Sequence, residues 1–144
     1  MMKLKKLFLL SVLCLTAFIY SGCQKYPDGP FISFRTRADR VSGNWYLGQF
    51  YLNGNDATSA KAAFLGSSYS LNIYKDGTYQ VYGSYPESGS CAFADDDSNF
   101  YFQNYSTGTV QVKYKILRLE YTSLWLTRTN SSGDVEQWRF VAYR

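Results

Sequence analysis

The chain has 144 residues, 15 basic and 11 acidic side chains, three cysteines and no histidine. That length suits one domain of ordinary size. Without imidazole, histidine-based triads and the commonest metal ligand are excluded, and too few soft ligands remain for a zinc or iron site.

Read from the start, Lys3, Lys5 and Lys6 form a positive segment, and residues 7–20 are an apolar run broken by Ser11 and Thr16. Spanning a bilayer takes roughly 20 residues, so the run fits a secretory h-region better than a membrane helix. Tyr20-Ser21-Gly22-Cys23 resembles a bacterial lipobox, with Tyr20 where the motif most often has Leu. The resemblance implies cleavage before Cys23, which then carries the lipid. Residues 1–22 are expected to be a leader, 23–30 a lipidated tether and 31–144 the folded body.

Cleavage changes the bulk properties. Three lysines leave with the leader, so the net charge falls from +4 to +1. No concentrated basic face remains for phosphate, and nucleic acid is not expected as a partner. Cys14 is lost and Cys23 is modified, leaving Cys91 as the one thiol. No intrachain disulfide forms, and stability must come from the apolar core. Several acyl chains, at about 0.8 kcal/mol per buried methylene, make detachment from the membrane negligible.

The tether holds Pro27, Gly29 and Pro30, a spacer composition. Thr36, with Asp39 three residues on, signals a helical turn over 37–41 that Gly43 ends. Strands are expected over 44–52, 69–75, 78–85, 89–94, 99–103, 110–119, 123–129 and 135–143. Asp76-Gly77 between two alternating runs is the strongest hairpin signal. Asn53-Gly54, Asp95 to Ser98, Ser106 to Gly108 and Asn130 to Gly133 supply further breaks. One helix, over 57–65 with Asp56 or Thr58 as its cap and Gly66 behind it, interrupts the first two strands. Ile116-Leu117 breaks the alternation of its strand, which asks for a β-bulge.

About eight successive antiparallel strands make an all-β, up-and-down meander that removes its edges by closing into a barrel. Such an interior is either filled or holds one small ligand. A two-sheet sandwich is the competing architecture.

Gly43-Asn44-Trp45, after a helical turn, resembles the Gly-x-Trp signature that begins the first lipocalin strand. Residues 26–45, with Pro30-Phe31-Ile32-Ser33-Phe34-Arg35, are similar to small lipocalin-like lipoproteins of Bacteroidota. Tyr74-Lys75-Asp76-Gly77-Thr78-Tyr79, Tyr114-Lys115-Ile116-Leu117 and Leu124-Trp125-Leu126 are later echoes. The resemblance implies that Trp45 closes the barrel floor under a stacked arginine, Arg139 or else Arg144. It implies a fold rather than an activity.

Catalytic residues, a resident metal and a cofactor are not expected. Asp95-Asp96-Asp97 reads as a solvated turn rather than a calcium loop. Glu120 and Glu136 read as exposed face residues rather than an acid–base pair. Cys91 has no basic neighbour in sequence to activate it and reads as a small buried hydrophobe. Alternation places Tyr69, Tyr79, Tyr114 and Trp138 inside, and with Trp45 they are the candidate ligand-binding residues. Tyr46, Phe50, Tyr74 and Tyr82 have the opposite parity.

Two functions follow. In the first, an envelope lipoprotein, anchored at the outer membrane through Cys23, holds a small apolar or aromatic ligand. In the second, a filled barrel docks another envelope protein through outer aromatics. An enzyme is not expected. An interior void of a few hundred Å³ favours the first.

Overall fold

The computed structural model describes residues 26–28, 33–94, 96–106, 108 and 111–143. The leader, Cys23, residues 29–32, Asp95, Val110 and Arg144 lie outside them. The described chain forms α1 (Arg37–Val41), β1 (Gly43–Leu52), β2 (Asn55–Asp56), α2 (Thr58–Leu65), β3 (Ser70–Ile73) and β4 (Thr78–Tyr82). It continues with β5 (Glu87–Phe93), β6 (Asn99–Asn104), β7 (Gln111–Leu119), β8 (Ser123–Thr129) and β9 (Val135–Val141). Neighbouring strands are antiparallel, and β1 pairs both β3 and β9. That second pairing closes the meander into an eight-stranded barrel, with the two-residue β2 as an extra flap on β1. The sandwich alternative is excluded.

Local chemistry explains the turns and bends. At the β3–β4 hairpin Gly77 takes φ +83°, a conformation that costs glycine nothing. Asp76 Oδ1 accepts from the Thr78 amide at 3.0 Å and from its hydroxyl at 2.7 Å. The register of β7 on β8 shifts between Ile116 and Arg118, so Leu117 is the bulge that the broken alternation asks for. Ile116 and Leu119 thereby both face the core. A second shift on β9, between Leu47 and Gln49, sits at Gly48. It corrects one expectation: Phe50 changes side and is buried, while Tyr46, Tyr74 and Tyr82 stay outside.

One end of the barrel is shut by α1. Thr36 Oγ1 accepts from the Asp39 amide at 3.1 Å, and its hydroxyl donates to Asp39 Oδ2 at 2.6 Å. From this short helix, Arg37 pairs with Asp97 of the β5–β6 turn. Asp39 takes Lys75 of the β3–β4 turn at 2.6 Å, and Arg40 Nη1 donates to the Leu119 carbonyl at 2.8 Å. Three neighbouring strand ends are thus laced to one helix. The segment read as a free spacer also docks here. Tyr26 is buried in the core cluster, and the Asp28 amide donates to the carbonyl of the Leu117 bulge at 2.8 Å.

Trp45 is fully buried, and its Nε1 donates to the Val41 carbonyl at 2.7 Å. With Val41, Leu119, Leu124 and Ala142 it belongs to the apolar cluster of the barrel. Arg139 does not stack on it. β9 alternates Glu136, Trp138 and Phe140 inward, so Arg139 points outward, over the rings of Tyr51 (4.6 Å) and Trp125 (4.2 Å).

Candidate functional site

The other end of the barrel carries α2 and the turns β4–β5, β6–β7 and β8–β9. Helix α2 is held to β1 because Thr58 Oγ1 accepts from the Phe50 amide at 2.9 Å, while Asp56 Oδ1 takes the Thr58 amide at 2.9 Å. Neither expected residue is the N-cap, which is Ala57 with no side-chain cap bond; Asp56 instead accepts from the first helical amide and Thr58 makes the tie. At the far end of the helix, the Ser84 amide donates to the Leu65 carbonyl at 2.8 Å. The helix lies across the barrel end, tied down at both of its own ends.

Beneath it is a cavity of about 520 Å³. Tyr69, Tyr79, Tyr114 and Trp138 all line it, together with Leu71, Val81, Phe102, Val112, Leu126 and Phe140. Four of the five candidate ligand-binding residues are thus brought together. Trp45 is not among them, because it is packed in the floor. Phe64 of α2 and Tyr85 of the β4–β5 turn stack at 4.7 Å and 22° on the rim, both more than half exposed.

Aromatic pairs build the walls. Phe102 meets Tyr79 edge-on at 4.9 Å and Tyr114 at 5.7 Å, and Phe50 meets Trp138 at 4.8 Å. Such pairs add about 0.5–1.5 kcal/mol each beyond their area. The Tyr79 ring lies over Gly89, where a β-carbon would overlap the Gln103 carbonyl oxygen and come within 2.6 Å of the ring. Glycine is therefore what lets this ring lie against its strand.

A polar ring at the mouth was not read from the sequence. Glu136, expected on the exposed face, is 7% exposed. It accepts from Arg128 Nε at 2.7 Å, from Trp138 Nε1 at 3.3 Å and from Asn130 Nδ2 at 3.4 Å. Burial works against its charge, but Arg128 outweighs that and holds the carboxyl below its ordinary 4.5. Glu87 accepts from the Tyr79 hydroxyl at 3.2 Å and from Asn104 Nδ2 at 2.8 Å. Lys61 of α2 sits with Nζ 4.6 Å from the Trp138 ring and 4.8 Å from the Phe50 ring. Burial lowers its pKa, partly offset by Glu136. Glu120 belongs to the turn after β7, at the opposite end, so the two glutamates form no pair.

Cys91 is buried, and its Sγ donates to the Thr78 carbonyl at 3.7 Å. Burial, reinforced by Asp76, pushes the thiol up to about 12. Asp96 closes its turn by accepting from Ser98, and Asp97 takes Arg37.

A closed up-and-down barrel with a floor tryptophan and an aromatic-lined cavity open at its other end defines a lipocalin-like fold. A solved structure supports that class: the chain is similar to a lipocalin-like protein from Bacteroides uniformis, with TM-score 0.52 and 17% identity over 72% of this chain and 99% of that one. No family model matches the chain, and no curated protein matches it.

Proposed function

We propose that the chain is a cell-envelope lipoprotein whose barrel binds a small apolar or aromatic molecule. The observation that carries this is the 520 Å³ cavity walled by Tyr69, Tyr79, Tyr114 and Trp138. Sites for small molecules are typically about 300–1,000 Å³, mostly apolar, with a few convergent polar groups. A filled barrel that acts only through its outer surface has no need of such a void.

The neutral fluorophore N-phenylnaphthylamine is the probe. The mature protein should bind one molecule with enhanced probe emission and quenched tryptophan emission. Tyr114→Ala should weaken that binding severalfold. A folded protein that neither binds the probe nor responds to an extract of its own envelope would contradict the proposal.

The envelope address rests on the basic and apolar leader and on Cys23. Blocking lipoprotein processing should leave an uncleaved precursor, and an unchanged mature mass would refute the assignment. Burial of Tyr26, three residues past Cys23, supports a particular stance. Three residues span at most about 10 Å, so the anchored barrel stands with its α1 floor at the bilayer and its mouth turned away. Spin labels at Asp76 and Ser132 of the lipidated protein in vesicles should report the first as the nearer to lipid. The reverse order would refute this stance.

A further inference from the structure

The exposed rings of the barrel gather at its two ends. Phe64 and Tyr85 sit on the rim of the cavity, with Tyr82 and Tyr105 beside the mouth. Phe34, Tyr46, Tyr74, Tyr121 and Tyr143 are exposed at the floor, the end opposite that cavity. Phe34 is fully exposed just before α1, and Tyr143, 82% exposed just after β9, packs on Tyr46 at 5.7 Å. Tyr121, in the β7–β8 turn, carries the Arg35 guanidinium at 4.0 Å, which brings the neighbouring Phe34 to the same side. Tyr121, Tyr143, Arg35 and Asn44 line one cleft there. Across the barrel, the β5–β6 turn carries Asp96 and Asp97 and, among the described residues, no exposed ring.

Charge does not account for this patch. Lys75 is paired with Asp39, Arg118 with Glu120 and Arg37 with Asp97. Arg35 and Arg40 remain, against Asp28, Asp76 and Asp96. The floor therefore has no excess of cations to draw an anionic surface. Its rings have another property: tyrosine is apolar in its body and wet at its hydroxyl, the chemistry of a membrane interface. The tether supplies the occupant. Cys23 precedes the buried Tyr26 by three residues, about 10 Å at most. A lipid on Cys23 thus holds this end of the barrel within reach of the headgroups. Exposed rings scattered singly need no explanation; a cluster at the tethered end does.

We propose that the floor of the barrel is a membrane-docking face. Phe34 and Tyr143 enter the headgroup layer of a phospholipid bilayer, Tyr46 and Tyr121 lie behind them, and the barrel tilts so that the β5–β6 turn stays in water. The inference rests on the lipoprotein reading and on the stance it gives, and adds the surface that makes contact. The acyl chains on Cys23 supply attachment, and the rings fix orientation. An exposed carboxylate such as Asp96 would lose water on entering the headgroup layer, so the acidic turn is the edge that lifts. Because ring burial rather than ion pairing makes the contact, it needs no anionic lipid and resists salt.

Nitroxides attached through Asn44→Cys and Ala92→Cys in the lipidated protein test this in phosphatidylcholine vesicles. Both positions are exposed, each one residue in from the floor end of its strand, on β1 and β5. Neither carries an inserting ring. Collisions with oxygen, which concentrates in lipid, and with a nickel chelate, which stays in water, read the depth. The Asn44 label should be shielded from nickel and the Ala92 label open to it, with the same pattern in phosphatidylglycerol and in high salt. In Phe34→Ser/Tyr143→Ser, nickel access at Asn44 should rise severalfold. Both replaced side chains are exposed, so an unchanged melting temperature shows that the variant is folded. Shielding at Asn44 that survives the double substitution would overturn the rings as the contact. Shielding seen only in phosphatidylglycerol would overturn them in favour of charge, and equal shielding of the two labels would overturn the tilt. Both labels open to water, with Asp76 still nearer to lipid than Ser132, would overturn docking and leave the stance intact. The reverse order of Asp76 and Ser132 would remove the stance and this proposal with it.

Discussion

Substituting Glu136 by Gln probes the polar mouth most sharply. The side chain is 7% exposed and accepts three hydrogen bonds, the shortest from Arg128 Nε at 2.7 Å. Removing one partner of a fully buried ion pair costs about 3–5 kcal/mol. Here the Arg128 side chain keeps 27% of its surface, so water screens part of the abandoned charge. The Gln carbonyl can still accept from Arg128 or Trp138. About 2 kcal/mol at pH 7 is the expected loss, which lowers the urea midpoint by about 1 M for a domain of this size. The pH dependence has a definite sign. The folded carboxyl is held below its ordinary 4.5, so its stabilisation is present above that value and fades as pH falls through the lower folded one. Urea unfolding of wild type and Glu136→Gln from pH 7 to pH 2 should show a gap that closes in acid. No gap at pH 7, or one that stays constant to pH 2, would refute the ion pair as a source of stability.

Other perturbations act elsewhere in the barrel. Gly89→Ala, which drives a methyl into the Gln103 carbonyl and the Tyr79 ring, should cost about 3 kcal/mol and alter the near-ultraviolet dichroism of the tyrosines. Thr36→Ala removes the acceptor for the Asp39 amide and should cost about 1 kcal/mol in thermal unfolding. Cys91, with its thiol pushed up to about 12, should resist iodoacetamide at pH 8 in the folded protein and react promptly in urea. Prompt alkylation of the native protein would contradict its burial.

Much of the fold was legible because strand chemistry is local. Asp76-Gly77 fixed one hairpin, Thr36 with Asp39 fixed α1, and the phase break at Ile116-Leu117 located a bulge that the β7–β8 register contains. Errors arose where polarity was allowed to override parity. Glu136 shares the face of Trp138 and Phe140, and Arg139 does not, so alternation alone places the first inside and the second outside. Phe50 was misplaced for the opposite reason: a one-residue bulge at Gly48 reverses every later side chain of β1, and an interior glycine was its signal. Lys61 carried no signal. Its position over Trp138 depends on how α2 folds back across the barrel, which is set by the Thr58 tie and by Ser84. The four cavity residues were found because they alternate on strands or strand edges; the charged groups at the mouth come together only in the assembled barrel.

Native mass spectrometry of the protein extracted from its own membrane tests the barrel site directly. The expected species is the lipid-modified chain with one small molecule bound, released by collisional activation and at lower occupancy in Tyr114→Ala prepared the same way. A bare chain at every collision energy, with Tyr114→Ala indistinguishable from wild type, would contradict an interior built to hold a ligand.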